Sequence, residues 1–105
     1  MGMDLSITTT SNDATRLVSV AGEVDVSNAD KLREAVDEAL GAKPARVEVD
    51  LAETSYIDST GIGVLVGAAT RAGEDGIGFE VANPQHNVRR VLGLLGVEKA
   101  LNVQD

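Results

Sequence analysis

Tyr56-Ile57-Asp58-Ser59-Thr60-Gly61-Ile62-Gly63-Val64-Leu65 joins an apolar, strand-like run to a Gly-studded helical pattern through the polar triplet Asp58-Ser59-Thr60. Strand, polar turn and helix in that order is the local pattern of an α/β fold. The triplet sets one carboxylate and two hydroxyls at a predicted helix N-terminus, where free N–H groups and the macrodipole favour a phosphate. Upstream, Arg46 to Leu51 alternates, with Val47, Val49 and Leu51 on one side and Glu48 and Asp50 on the other, as a strand does. Downstream, Ile62, Leu65, Val66 and Ala69 share one face of a helix predicted from Thr60 to Ala72.

The rest of the chain extends this pattern. Leu5-Ser6-Ile7-Thr8-Thr9 alternates, Ser11-Asn12-Asp13 is turn chemistry, and Arg16 to Val24 is rich in β-branched residues. These predict two strands in a hairpin. Ser27 is the expected N-cap of the next helix, with Asp30 three residues on as a variant capping box. Ala29, Leu32, Val36, Ala39 and Leu40 form its apolar face, and Gly41 and Pro44 end it. That helix separates two strands, so they should pair in parallel through a right-handed crossover. Gly78 to Ala82 predicts another strand. Pro84 is expected to start a third helix with Val88, Val91, Leu92 and Leu95 at helical spacing, and Lys99 to Val103 to form a final edge strand. The expected fold is α/β: one mixed four- to five-stranded sheet with three to four helices packed on it.

Composition narrows the function classes. A chain of 105 residues is the size of one domain, and 43% apolar with 25% charged residues is globular. Phe79 and Tyr56 are its aromatic residues, too few for a base-stacking platform. The net charge of −8 repels nucleic acid and anionic membranes. It either favours a partner with a basic patch or simply keeps the protein soluble. The absence of cysteine excludes disulfides, thiol catalysis and thiolate metal sites. No apolar run approaches the roughly 20 residues of a membrane span. Met1-Gly2-Met3-Asp4-Leu5 lacks the basic region and apolar core of a signal peptide, so the expected location is the cytoplasm.

Two readings of the triplet stand side by side. Asp58, Ser59 and Thr60 are all good caps, and a cap contributes about 1 kcal/mol. Yet three capping residues exceed what one helix end requires. As a phosphosite, Ser59 would gain a charge of about −1.5 to −2 without unfolding the helix, and would expel an apolar or acidic partner surface. Gly61, Gly63 and Gly67 each cost about 0.5–1 kcal/mol in a helix relative to Ala. They serve either close approach by a partner or nucleotide, or tight packing on the sheet. Glu23 and Asp25, read from the residues alone, are a strand end leading into the Ser27 cap.

Asp58-Ser59-Thr60-Gly61, followed by Ile62-Gly63 and Leu65, resembles the phosphorylation loop of the STAS domains of bacterial anti-sigma factor antagonists. Gly22-Glu23-Val24-Asp25 resembles the Gly-Glu-aliphatic-Asp element that ends their second strand. Leu32-Arg33 lies where their first helix runs, and Val49-Asp50-Leu51 is similar to their third strand. The resemblance spans about Leu5 to Asp105, with Asn83 to Leu95 its softest part, and implies a single STAS domain over residues 1–105. It implies that Ser59 is phosphorylated by the anti-sigma factor itself, a serine kinase of histidine-kinase-like ATPase fold. The unphosphorylated protein would bind that kinase and free the sigma factor. The phosphorylated protein would let go, and a phosphatase would reset it. The implied partner-binding residues are Glu23, Asp25, Asp58, Ser59, Thr60, Gly61 and Gly63, with Asp58 helping to position the Ser59 hydroxyl. The resemblance implies no enzyme activity, cofactor or metal, and no nucleic-acid or membrane partner. A constitutive STAS scaffold or ligand sensor, unswitched by Ser59, is the alternative.

Other chemistries fit less well. His86 follows Pro84 at a predicted helix start, where a phosphocarrier would hold its histidine, but no Arg or Ser-Gly framework stands beside it and an exposed first-turn histidine is the better explanation. Ser59 has no Gly-x-Ser-x-Gly elbow around it, and a hydrolase would need His86 as its base. No phosphate-binding Gly-x-x-x-x-Gly-Lys loop or calcium-loop spacing is present.

Overall fold

The computed structural model describes residues 5–104. The expectations for Met1 to Asp4 and for Asp105 lie outside the described residues. In chain order the elements are β1 (Ser6–Asn12), β2 (Thr15–Val24), α1 (Ala29–Gly41), β3 (Arg46–Ile57), α2 (Ser59–Glu74), β4 (Gly78–Ala82), α3 (His86–Leu94) and β5 (Val103–Gln104). The strands stand in the order β1-β2-β3-β4-β5 in one mixed sheet. This is the expected α/β class, with five strands and three helices among the described residues.

β1 and β2 form an antiparallel hairpin from Ser6 opposite Ala21 to Asn12 opposite Thr15. Asp13, at φ 56°, makes the two-residue turn that such a hairpin needs. The pairs β2–β3, β3–β4 and β4–β5 are parallel, so each needs a crossover connection. Helix α1 makes the first and α2 the second. The core lies between these helices and the sheet. Val18, Val20 and Val24 of β2, Val47, Val49 and Leu51 of β3, Leu32 and Val36 of α1, and Leu65 and Ala68 of α2 are all buried in it.

β3 runs six residues past the alternation that predicts it. Its register against β2 shifts twice, once between Ser19 and Ala21 and once between Gly22 and Glu23. Each shift leaves an unmatched residue in β3, a bulge that breaks the period of two. Gly22 takes φ 113° at the second shift, a conformation strained for any side chain. Between the shifts Thr54 turns inward, fully buried, and its Oγ1 donates to the Val20 carbonyl at 2.7 Å. Beyond Asp50, β4 no longer pairs with β3. Side chains at the start of α3 stand in for it: Gln85 Nε2 donates to the Ala52 carbonyl at 2.9 Å and Asn87 Nδ2 to the Ser55 carbonyl at 2.8 Å.

Other boundaries also differ from the sequence reading. Ser11 and Asn12, expected in the turn, extend β1 and pair with Arg16 and Thr15, and α2 runs Ser59–Glu74 rather than Thr60 to Ala72. α1 starts at Ala29, with Asn28 at the N-cap position, because both Ser27 donors are held by Asp25; the expected Ser27–Asp30 capping box does not form. α3 starts at His86, two residues past Pro84. The last strand is Val103–Gln104 alone, because Leu101 and Asn102 turn back with their N–H groups on the Val97 and Lys99 carbonyls.

Candidate functional site

The parallel strands β2 and β3 end side by side, and the Asp58 N–H donates to the Val24 carbonyl at 3.0 Å. That bond sets the β2–α1 loop beside the start of α2, so Glu23, Asp25, Asp58 and Ser59 come together on one rim of the sheet. Asp58 is the N-cap of α2: its Oδ1 accepts the Gly61 N–H at 3.0 Å, and its own carbonyl accepts the Ile62 N–H. The Asp58 carboxylate is thus engaged in capping and makes no hydrogen bond to the Ser59 hydroxyl. Ser59 and Thr60 are the first two helical residues, both exposed. Neither hydroxyl has a hydrogen-bond partner among the described residues. One cap therefore suffices, and two hydroxyls remain free at the positive end of a 16-residue helix.

The glycines separate into two kinds. A Cβ on Gly61 would stand 2.7 Å from Val24 Cγ1 and 2.8 Å from Ile57 Cγ1, so only glycine seats the helix this closely on the strand ends. Gly61 is accordingly buried. A Cβ on Gly63 would meet nothing within 4 Å, and one on Gly67 only the tip of Arg71. No packing demand explains Gly63, which leaves a bare exposed patch one turn beyond Ser59.

The acidic side of the rim is internally tied. Asp25 Oδ1 accepts the Ser27 hydroxyl at 2.5 Å and the Ser27 N–H at 2.9 Å. These two bonds, the hydroxyl's first, lower the Asp25 carboxyl pKa from its ordinary value. Asn28 closes the loop: its Oδ1 accepts the Asp25 N–H and its Nδ2 donates to the Glu23 carbonyl, both at 2.9 Å. Sequence reasoning passed over Asn28, although an Asn in a polar turn is the usual signal for such bonds. It also passed over Val26 (76% exposed) and assigned no site role to Tyr56 (48% exposed), two large side chains interrupting polar neighbours on this rim. Tyr56 pairs in register with Glu23. No Lys, Arg or His occurs from Glu23 to Asn28 or from Tyr56 to Gly63.

No imidazole or carboxylate is hydrogen-bonded to the Ser59 hydroxyl, so any chemistry at Ser59 needs a base and a phosphoryl donor from elsewhere. His86 stands exposed at the start of α3. Among the described residues no group of three or more His, Asp or Glu side chains could hold a metal ion, and no helix is long and apolar enough to cross a membrane.

A five-stranded mixed sheet with its crossover helices is the architecture of the STAS class. The family model described as "Mlab, STAS domain" matches residues 7–104, and the chain belongs to this family. Among curated relatives it is 29% identical over 101 residues to the anti-sigma-B factor antagonist of Bacillus subtilis, covering 96% of this chain and 92% of that protein. An anti-sigma factor antagonist from Mycobacterium paratuberculosis has the same fold, with TM-score 0.88 at 24% identity over 96% of this chain and 86% of that one. So has the Bacillus cell fate determinant SpoIIAA. Its unphosphorylated form has TM-score 0.80 at 17% identity, covering 95% of this chain and 88% of that one. Its phosphorylated form has TM-score 0.73 at 16% identity, covering 95% and 91%.

Proposed function

We propose that this protein is an anti-sigma factor antagonist switched at Ser59. Unphosphorylated, it binds an anti-sigma factor that is also a serine kinase of histidine-kinase-like ATPase fold, and so frees a sigma factor in the cytoplasm. Phosphorylation of Ser59 ends the binding, and a phosphatase restores it. The single observation that carries this reading is the Ser59 hydroxyl: exposed, unbonded, and placed at the head of α2 within an acidic rim. A phosphate there adds about −1.5 to −2 charge beside Glu23, Asp25 and Asp58. A partner drawn to that rim must itself be basic or neutral at the contact, and a buried phosphate facing its apolar groups carries a desolvation cost. The macrodipole of α2 offsets part of the new charge, so the domain stays folded while the surface changes.

In this scheme Glu23 and Asp25 hold the partner electrostatically, Asp58 fixes the helix start, and Ser59 and Thr60 present the hydroxyls. Gly63 lets the partner's backbone approach, and Gly61 contributes by seating α2. Membership of the STAS family supports the reading, as do relatives named as anti-sigma factor antagonists.

The test is affinity capture from the source cell's lysate with wild type, Ser59→Ala and Ser59→Glu side by side, followed by mass spectrometry. Wild type and Ser59→Ala should retain one small ATPase-type kinase, and Ser59→Glu should lose it by about tenfold or more. Equal retention by all three variants would make Ser59 a plain helix-start residue and the protein a constitutive scaffold or ligand sensor.

A further inference from the structure

The outer edge of β1 carries none of the devices that keep sheet edges from pairing. β1 spans seven residues, Ser6–Asn12, with no charge, proline or glycine. Its register against β2 is unbroken, so no bulge twists the edge away. No strand among the described residues pairs with that edge. Natural edge strands are ordinarily blunted by lysine, proline, bulges or shortness. β5, at the other edge, is blunted by being two residues long.

Beneath this edge lies a cleft of about 360 Å³ between β1 and α1. Leu5, Ile7 and Ala35 form its half-buried apolar floor. Its rim is charged, with Lys31, Glu34 and Glu38 exposed along one face of α1. Helix α1 returns from the end of β2 to the start of β3, so it runs in the same sense as β1. Its Lys31 therefore lies toward one end of the cleft and its Glu38 toward the other.

We propose that this edge and cleft are a self-association surface, occupied by β1 of a second copy pairing antiparallel about a two-fold axis. The charge order is what selects a second copy. Antiparallel pairing of β1 with its equivalent also sets the two α1 helices antiparallel, which brings Lys31 of each opposite Glu38 of the other. A strand added at about 4.8 Å places two helices that each lie over β1 and β2 roughly 10 Å apart, the packing distance of helices. Ala35 and Glu34 sit between the charges: Ala35 holds no long side chain against that approach, while the axis sets Glu34 near its twin, a repulsion that the two Lys31–Glu38 pairs must exceed. On the strands, rows of Thr and Ser face one another, cross-strand pairs that favour a sheet. The interface is isologous, as a closed dimer requires. β1 is separated by β2 from the end of β3, so Ser59 remains free in the dimer.

The test is sedimentation equilibrium over about two decades of concentration. It uses the whole protein, Thr8→Lys, Lys31→Glu, Glu38→Lys, and an equimolar mixture of the last two. All three positions are exposed, and urea midpoints establish that each variant folds. Wild type should show a monomer–dimer equilibrium, and Thr8→Lys should raise its dissociation constant by about tenfold or more. Lys31→Glu and Glu38→Lys should each weaken association, and mixing them should restore it. Glu38→Lys is the sharpest arm, since it lowers the net negative charge. A general charge effect would strengthen its dimer, whereas the Lys31–Glu38 pairing weakens it. A wild type that stays monomeric throughout overturns the proposal. So does a dimer unmoved by Thr8→Lys, or one strengthened by Glu38→Lys.

Discussion

Replacing Gly61 by alanine puts a Cβ 2.7 Å from Val24 Cγ1, and 2.8 and 3.1 Å from Ile57 Cγ1 and Cδ1. Carbon atoms rest at about 3.5–4.0 Å. Neither neighbour can retreat, because Val24 is 0% and Ile57 2% exposed and both are stiff at χ1. Overpacking of this kind costs about 1–3 kcal/mol. Alanine also returns up to about 1 kcal/mol of helix propensity. At Gly63 the same replacement meets nothing within 4 Å. The propensity gain is common to both sites and cancels in the difference between the two variants. That difference isolates the clash, about 1–3 kcal/mol in favour of Gly63→Ala.

Equilibrium urea unfolding reads it directly. At an m-value of about 1–2 kcal/mol/M, a gap of about 2 kcal/mol separates the two midpoints by roughly 1–2 M. Gly63→Ala should lie at or above wild type and Gly61→Ala below it. Amide shifts should follow the same split: Gly61→Ala lifts the head of α2 and disturbs Asp58 to Ile62, whereas Gly63→Ala changes only its own surroundings. Equal midpoints for the two alanines would refute the packing argument, since the clash would then be relieved at no cost.

Two further outcomes follow from single hydrogen bonds. Thr54→Val keeps the buried shape but leaves the Val20 carbonyl without its 2.7 Å donor, and should lower stability by about 1–2 kcal/mol in thermal or urea unfolding. Ser27→Ala removes the larger cause of the lowered Asp25 pKa, which should rise toward the ordinary carboxylate value in a carboxyl-carbon NMR titration. With Ser27 present the folded pKa lies below the unfolded one, so Asp25 contributes stability above the unfolded pKa and loses it as pH falls through the folded pKa; the variant should show less of that acid-side loss.

How much of this was legible in the sequence depends on whether a local period survives. Arg46 to Leu51 keeps its period and stands where the alternation puts it, and Gly78 to Ala82 is a strand as expected. Ala52 to Ile57 is strand too, but Ala-Glu-Thr-Ser-Tyr-Ile has no period of two, because two bulges fall within it. At the start of α1 the residue types were read correctly and their partners were not. A serine two residues after an aspartate can cap a helix or bond back to the carboxylate, and spacing cannot separate the two. The glycines were likewise equivalent as letters. Only the side chains of Val24 and Ile57, brought from two other segments, divide Gly61 from Gly63.

The bulges themselves follow from polar residues at the wrong parity. In an unbroken strand continuing from Leu51, residues 53, 55 and 57 would face the core, which would bury Glu53 and Ser55. An unpaired carboxylate there costs several kcal/mol. The first bulge turns Thr54 inward instead, where its hydroxyl is satisfied by Val20, and leaves Glu53 exposed. The second bulge reverses the parity again, so Ile57 returns to the core and Tyr56 faces outward beside Glu23. Ile57 is half of the contact that seats Gly61, and Gly61 fixes how deep the head of α2 lies. The exposure of Ser59 therefore traces back to the placing of Glu53 and Ser55 in β3. A deletion of one residue between Ala52 and Ser55 would move Ile57 off its seat, although it touches neither Asp58 nor Ser59.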